Sequence, residues 1–292
     1  KPEAEIYFLV GGTQTNSLVI KSMLSDFEGV LSPDSGHIVD HEAGAIEATG
    51  HKVIHLKHSH GKIRAAQIKT YMENFLKDPL RNHMVQPGLV YITHPTEFGT
   101  LYTKSELENI YRMAHAYDLP VYIDGARLGY GIMSLNTDVD LDVISNNCDA
   151  FYIGGTKIGA LIGEALVLPK PGQIKQFFTR IKQHGALLAK GRALGVQFDV
   201  LFTDNLYFEI SRHAILMAEM LRQGFKDKGY HFFLDSPTNQ QFVILDNLKI
   251  KKLQKDFSFT LWQPIGVNKW VCRFCTSWAT QESHVKKLLE QI

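Results

Sequence analysis

Lys157 stands in "DAFYIGGTKIGA", where a short apolar strand runs into two glycines and one cation follows. No acid lies within four residues of it on either side. Lysine is ordinarily a solvated surface residue, so an amine at the end of a buried strand points to phosphate binding or to chemistry through the amine. Kept from water, an amine has a lowered pKa and becomes a nucleophile towards carbonyl carbon. Asp124, in "VYIDGARLGY", comes 33 residues earlier, one strand–helix–strand unit away, so both side chains can reach one crevice. A carboxylate there suits a metal, a ribose or a protonated ring nitrogen. A structural ion pair with Arg127 or a helix cap would explain it as well.

A Schiff-base lysine with an acid partnering a pyridine nitrogen is the arrangement pyridoxal phosphate needs. Gly11, Gly12 and Thr13 in "VGGTQTNS" follow a strand and open a helix, where free N–H groups can hold a phosphate. An ordinary N-cap by Thr13 accounts for the same residues. The two glycines before Lys157 are expected to leave room for the cofactor. His37 and His41 could form a metal pair only on a helix, which the Asp34-Ser35-Gly36 turn interrupts, so a stacked imidazole is the other use. His94, at the end of "YIT", is placed for a polar role over a cofactor, whereas His55, His58 and His60 run into a turn and read as solvated. Arg273, inside an apolar strand, needs an anion: a structural carboxylate or a substrate carboxylate gripped by its fork. Cys272 and Cys275 fall on opposite faces of that strand and read as packed thiols rather than a redox or zinc pair.

These residues sit on a recurring pattern. Candidate strands at 6–10, 51–56, 88–93, 120–124, 149–154 and 163–168 alternate with helices at 14–24, 64–77, 104–117 and 140–146. Near-continuous apolar strands between helices predict an α/β fold, a mostly parallel sheet covered on both faces. Ligands in such sheets lie at the carboxyl ends of the strands. Two helices, 172–185 and 207–229, lead to strands at 230–235, 241–246, 259–266 and 270–277 and a last helix at 280–291. The chain therefore divides into a large domain, 1–205, and a smaller α+β domain, 206–292. At 292 residues and net charge +1, it has no electrostatic footprint for nucleic acid or an anionic membrane. No apolar run approaches a membrane span, and three cysteines suit a reducing cytoplasm.

In order, "GGTQTN", "SGHIVDHEAGA", "YITHPTEFGT", "IDGARLGY", "YIGGTKIGALIGEALVL" and "VCRFCTSW" resemble the threonine aldolase family, within the β-eliminating lyase group of fold-type I pyridoxal-phosphate enzymes. The resemblance covers nearly the whole chain. It implies retro-aldol cleavage of a β-hydroxy-α-amino acid such as threonine or allo-threonine to glycine and an aldehyde. Lys157 would hold pyridoxal 5'-phosphate as a Schiff base, Asp124 would partner its ring nitrogen, His37 would stack on the ring, and Gly12 and Thr13 would hold the phosphate. Arg127, among the cofactor contacts, and Arg273 would bind the substrate carboxylate, with His94 near the substrate hydroxyl. The family's arginine in a "GGxxRQ"-like turn has no match in "HGALLAKGRALG", where Lys190 or, preferably, Arg192 would replace it. The resemblance also implies an N-terminal arm ahead of Lys1 and a homotetramer or homodimer with sites between subunits. Another lyase eliminating a β-substituent, or a non-catalytic member of the fold, are the alternatives. A dinucleotide-binding dehydrogenase lacks its glycine pattern and ribose acid here.

Overall fold

The computed structural model describes residues 1–292. In chain order the elements are β1 (Glu5–Leu9), α1 (Gly12–Met23), β2 (Glu28–Pro33), α2 (His37–Asp40), β3 (Val53–Leu56), α3 (Ala65–Lys77), β4 (Gln86–Thr93), α4 (Lys104–His115), β5 (Val121–Asp124), α5 (Leu128–Ile132), α6 (Leu141–Asn146), β6 (Ala150–Gly154) and β7 (Glu164–Leu168). There follow α7 (Phe177–Gln183), α8 (Arg192–Phe202), α9 (Leu206–Asp227), β8 (Gln240–Asp246), α10 (Asn247–Leu253), β9 (Thr260–Ile265), β10 (Lys269–Cys275) and α11 (Glu282–Gln291).

Seven strands form the main sheet in the order β1-β7-β6-β5-β4-β2-β3. All adjacent pairs from β6 to β3 are parallel, and only β7 runs against its two neighbours. The period of two along each strand sorts side chains between two apolar layers. Val121, Ile123, Phe151 and Ile153 pack on one face with α3, α4, α8 and the start of α9, while Tyr91, Tyr122 and Tyr152 face α1. Asp124 follows Tyr122 by two and so lies on the α1 side.

One reversal decides what reaches the ligand edge. The carboxyl ends of the parallel strands meet there, and because β7 runs the other way its first residue, Glu164, arrives at the same edge opposite Gly154.

β2 is a strand the residue pattern did not announce. "EGVLSP" carries a glycine and a terminal proline, but it lies between β3 and β4 with five of six residues buried. Gly29 is required there, since a Cβ would stand 2.7 Å from the Lys52 carbonyl. The strand expected at 230–235 does not form; only Phe232 bridges to Val243, and the chain turns away at Ser236-Pro237. The small sheet is β8-β10-β9, all antiparallel. Helix α9 joins the lobes: Tyr207, Ala214 and Ile215 belong to the large core, Met217, Leu221 and Phe225 to the small one. No helix is long and apolar enough to cross a membrane.

Candidate active site

A cavity of about 160 Å³ opens at the ligand edge, walled by Gly12 and Thr13 from α1, Asp124 and Arg127 from the end of β5, and Thr156, Lys157 and Glu164 from the β6–β7 connection. His37, Glu42 and Glu97 close it opposite. A second cavity, of about 420 Å³, shares His37, Glu97 and Arg127 with the first and reaches Thr260, Trp262 and Arg273 of the small lobe. Of the residues singled out above, Gly12, Thr13, His37, Asp124, Arg127, Lys157 and Arg273 thus line one continuous cleft.

Asp124 is buried and accepts four hydrogen bonds. Oδ1 takes the Tyr152 hydroxyl at 2.5 Å and the Ala126 N–H at 3.0 Å; Oδ2 takes the Tyr91 hydroxyl at 2.7 Å and Asn16 Nδ2 at 3.0 Å. It has no ion pair with Arg127 and caps no helix, so both structural alternatives fail. The clamp continues outward. Asn16 Nδ2 also donates to Glu42 Oε1 at 2.7 Å, and Tyr122 donates to Asn16 Oδ1 at 2.8 Å. Glu42 Oε1 bonds His37 Nδ1 at 2.8 Å, which raises the imidazole above its ordinary value despite burial. His37 and His41 rings are 5.7 Å apart, and His37 Nδ1 is committed to Glu42.

Lys157 Nζ has no hydrogen-bond or ion-pair partner. Burial, helped by the Arg127 charge, lowers its ammonium to about 8, against the pull of Asp124, Glu164 and Glu97. The acid missing from the local sequence comes from β7. Glu164 accepts the Gly155 N–H and the Thr156 hydroxyl, each at 2.8 Å, and burial pushes its carboxyl up to about 7. The glycines before Lys157 serve the backbone rather than a cofactor. A Cβ on Gly154 would stand 2.4 Å from the Ala126 carbonyl, and one on Gly155 would stand 2.5 Å from that of Gly163.

Helix α1 starts at Gly12 with Gly11 as its cap, so Thr13 is not the N-cap. The N–H groups of Gly12, Thr13 and Gln14 have no acceptor, and the Thr13 side chain is exposed to the cavity. Three free donors on a twelve-residue helix make an anion seat.

Arg127 donates to no protein group. Arg273 has no carboxylate partner either: Nη1 reaches Gln240 Oε1 at 3.3 Å, Nη2 reaches Thr260 Oγ1 at 3.5 Å, and the buried Nε has nothing. Its guanidinium lies 4.7 Å from the Trp262 ring centre. Two unpaired guanidinium groups on one cavity suit a carboxylate.

His94 is a correction. Its ring is fully buried behind the cavity wall, near Tyr102 and Gly131, with neither nitrogen partnered, and burial lowers it to about 4. Thr93, the last residue of β4, takes the place on the cavity wall, and the next residue turns to the buried side instead of onto the cleft. Lys190 and Arg192 are exposed and line neither cavity. His58 is tied down as the acceptor of the Gly61 N–H at 3.0 Å, while His55 and His60 are exposed. Cys272 is buried and Cys275 exposed, unpaired on opposite faces of β10.

Sequence reasoning missed Asn16, Glu97 and Glu164 and assigned nothing to Glu42. Glu164 was detectable as a lone acid heading an apolar strand. Glu97, in "HPTEFGT", gave no periodic signal because it lies in irregular chain.

The sequence model for β-eliminating lyases matches residues 2–248. The low specificity L-threonine aldolase of Pseudomonas sp. strain NCIMB 10558 is 28% identical over 294 residues, covering 99% of this chain and 83% of that protein. The structure of Leishmania major threonine aldolase superposes with a TM-score of 0.95 at 41% identity, covering 99% of this chain and 84% of that one. A PLP-bound structure from Clostridium difficile, described as an aminotransferase, shares the fold alone, with a TM-score of 0.70 at 11% identity over 98% of this chain and 76% of its own.

Proposed function

Because the chain belongs to the β-eliminating lyase family, among its threonine aldolases, we propose that it cleaves β-hydroxy-α-amino acids such as threonine and allo-threonine to glycine and an aldehyde. The observation that carries this reading is the conjunction of an unpaired, half-buried Lys157 with a clamped Asp124 and two guanidinium groups lacking any protein anion.

The donor set fits pyridoxal phosphate. Lys157 would anchor its aldehyde carbon, the free N–H groups of Gly12 and Thr13 its phosphate, Asp124 its ring nitrogen, and His37 would stand at its ring. The cofactor supplies a sink for the electron pair released at the α-carbon. Everything else falls to the chain. A Cβ on Gly12 would come 2.9 Å from the Tyr152 hydroxyl, so glycine keeps the helix start close to the ring site. Tyr91 and Asn16 hold Asp124 in place from behind, and the Asn16–Glu42–His37 chain fixes the imidazole to the same frame. Arg127 and Arg273 grip the substrate carboxylate from the two lobes, which orients the Cα–Cβ bond.

A homodimer or homotetramer is part of the same reading. Leu161 and Ile162, just beyond Lys157, are 91% and 51% exposed, and Ile6, Val196, Val200 and Phe202 add exposed apolar area along β1 and α8. Exposed apolar side chains of this size suit a second copy.

The test is product analysis. With added cofactor, L-threonine or L-allo-threonine is expected to yield glycine and acetaldehyde in equal amounts. Pyruvate from β-substituted amino acids, without glycine from threonine, would contradict the aldolase reading.

A further inference from the structure

Cleavage of a β-hydroxy amino acid needs a base at the hydroxyl, and His94 is walled off from the cleft. The substrate's amine end belongs to the inner cavity, with Lys157. Its carboxylate end belongs with Arg127 and Arg273, on the outer one. The two cavities share three side chains, His37, Glu97 and Arg127, so the β-carbon substituents cross that junction. Arg127 offers no basic lone pair. His37 Nδ1 is bonded to Glu42, which raises the imidazole above its ordinary value, and on the reading above its ring is committed to the cofactor rather than to the hydroxyl.

Glu97 differs from both. It is buried at the junction, and each oxygen accepts a single hydrogen bond: the His37 N–H to Oε1 at 3.0 Å and the Thr93 hydroxyl to Oε2 at 2.9 Å. A carboxylate has about four acceptor sites, so lone pairs remain on both oxygens. The backbone of His37 and the last residue of β4 thereby aim it at the cleft.

On the aldolase reading given above, we infer that Glu97 takes the proton from the substrate's β-hydroxyl as the Cα–Cβ bond opens. The O–H bond breaks and its pair becomes the second bond of the aldehyde carbonyl. The Cα–Cβ pair stays on the α-carbon, and the proton rests on Glu97. Protonation of the α-carbon completes glycine, so one O–H is lost and one C–H gained. Burial pushes the Glu97 carboxyl up to about 7, so near neutrality it both accepts and returns a proton.

The test compares two reactions of the cofactor-loaded protein. Exchange of glycine's α-hydrogen with heavy water requires no hydroxyl proton transfer, whereas threonine cleavage does. Glu97→Gln is expected to slow cleavage at least about 100-fold while leaving exchange within about threefold. In the cofactor-free protein, Glu97 and Glu164 are both expected to give protonated-carboxyl infrared absorption titrating near pH 7, and the same variant is expected to lose the Glu97 share and keep that of Glu164. Thr93→Val, which keeps Glu97 but removes a bond favouring its charged form, is expected to move the acid limb of kcat/KM to higher pH. Equal loss of exchange and cleavage, unimpaired cleavage, an unchanged infrared titration or an unmoved limb would each overturn the assignment. If the unaltered protein exchanges glycine but cleaves no β-hydroxy amino acid, it is the aldolase reading that fails.

Discussion

Lys157 is held at the point where burial and the Arg127 charge outweigh three nearby carboxylates. Its amine is therefore expected to react with a carbonyl reagent in the cofactor-free protein along a titration centred near pH 8, well below a solvated lysine; a midpoint near 10.5 would refute the burial argument. Tyr152→Phe removes one of the four donors on Asp124. Loss of a hydrogen bond to a carboxylate costs about 1.5–3 kcal/mol, which chemical denaturation can read. Glu97 and Glu164 both rise from 4.5 to about 7 on burial. The folded chain then binds more protons than the unfolded one between those values, so their contribution is present below pH 4.5 and lost as pH climbs through 7. Cofactor-free protein is expected to unfold more readily at pH 7.5 than at pH 5, and the slope is expected to flatten in the Glu97→Gln, Glu164→Gln double variant. Lys157 and Asp124 were legible because each ends an apolar strand, where a charge needs a reason. Of the carboxylates around them only Glu164, a lone acid heading an apolar strand, left such a signal; Glu42 and Glu97 lie in irregular chain and are explained only by partners that the fold brings from elsewhere.

Strands and turns carry these side chains by crossing closely. A Cβ on Gly125 would lie 1.9 Å from the Tyr152 carbonyl, a backbone atom that cannot move aside. Gly125→Ala is therefore expected to abolish folding, measured as loss of cooperative thermal unfolding, whereas Gly172→Ala, in open space though at φ +71°, should only weaken it. Near-continuous apolar runs predicted the strands from 86 to 168 nearly to their ends, because these strands are buried on both faces. The pattern failed at β2, whose glycine and proline mimic a turn, although the close neighbours at Lys52 and Val85 explain the glycine. It failed in the opposite sense at 230–235, where aromatic residues pack without a ladder partner beyond one bridge. The reversed direction of β7 was also invisible in the pattern, since strand direction depends on the connection and not on composition. That reversal is what delivers Glu164 to Lys157.

The whole molecule places the two arginines of the cleft, Arg127 and Arg273, on different lobes, joined through α9. Arg273→Lys keeps the charge but loses the fork, so the KM for threonine is expected to rise about tenfold or more while cofactor affinity stays constant. An equal loss of cofactor binding would show that Arg273 serves the large lobe instead. Sedimentation should show a dimer or larger, and Leu161→Glu should shift it towards monomer. All of these expectations rest on Lys157 being the residue that holds the cofactor, and one measurement addresses that directly. The cofactor-loaded protein is reduced with borohydride, digested, and searched by mass spectrometry for the phosphopyridoxyl group. The account predicts it on the peptide carrying Lys157 and on no other; a label on another lysine, or none, would contradict it.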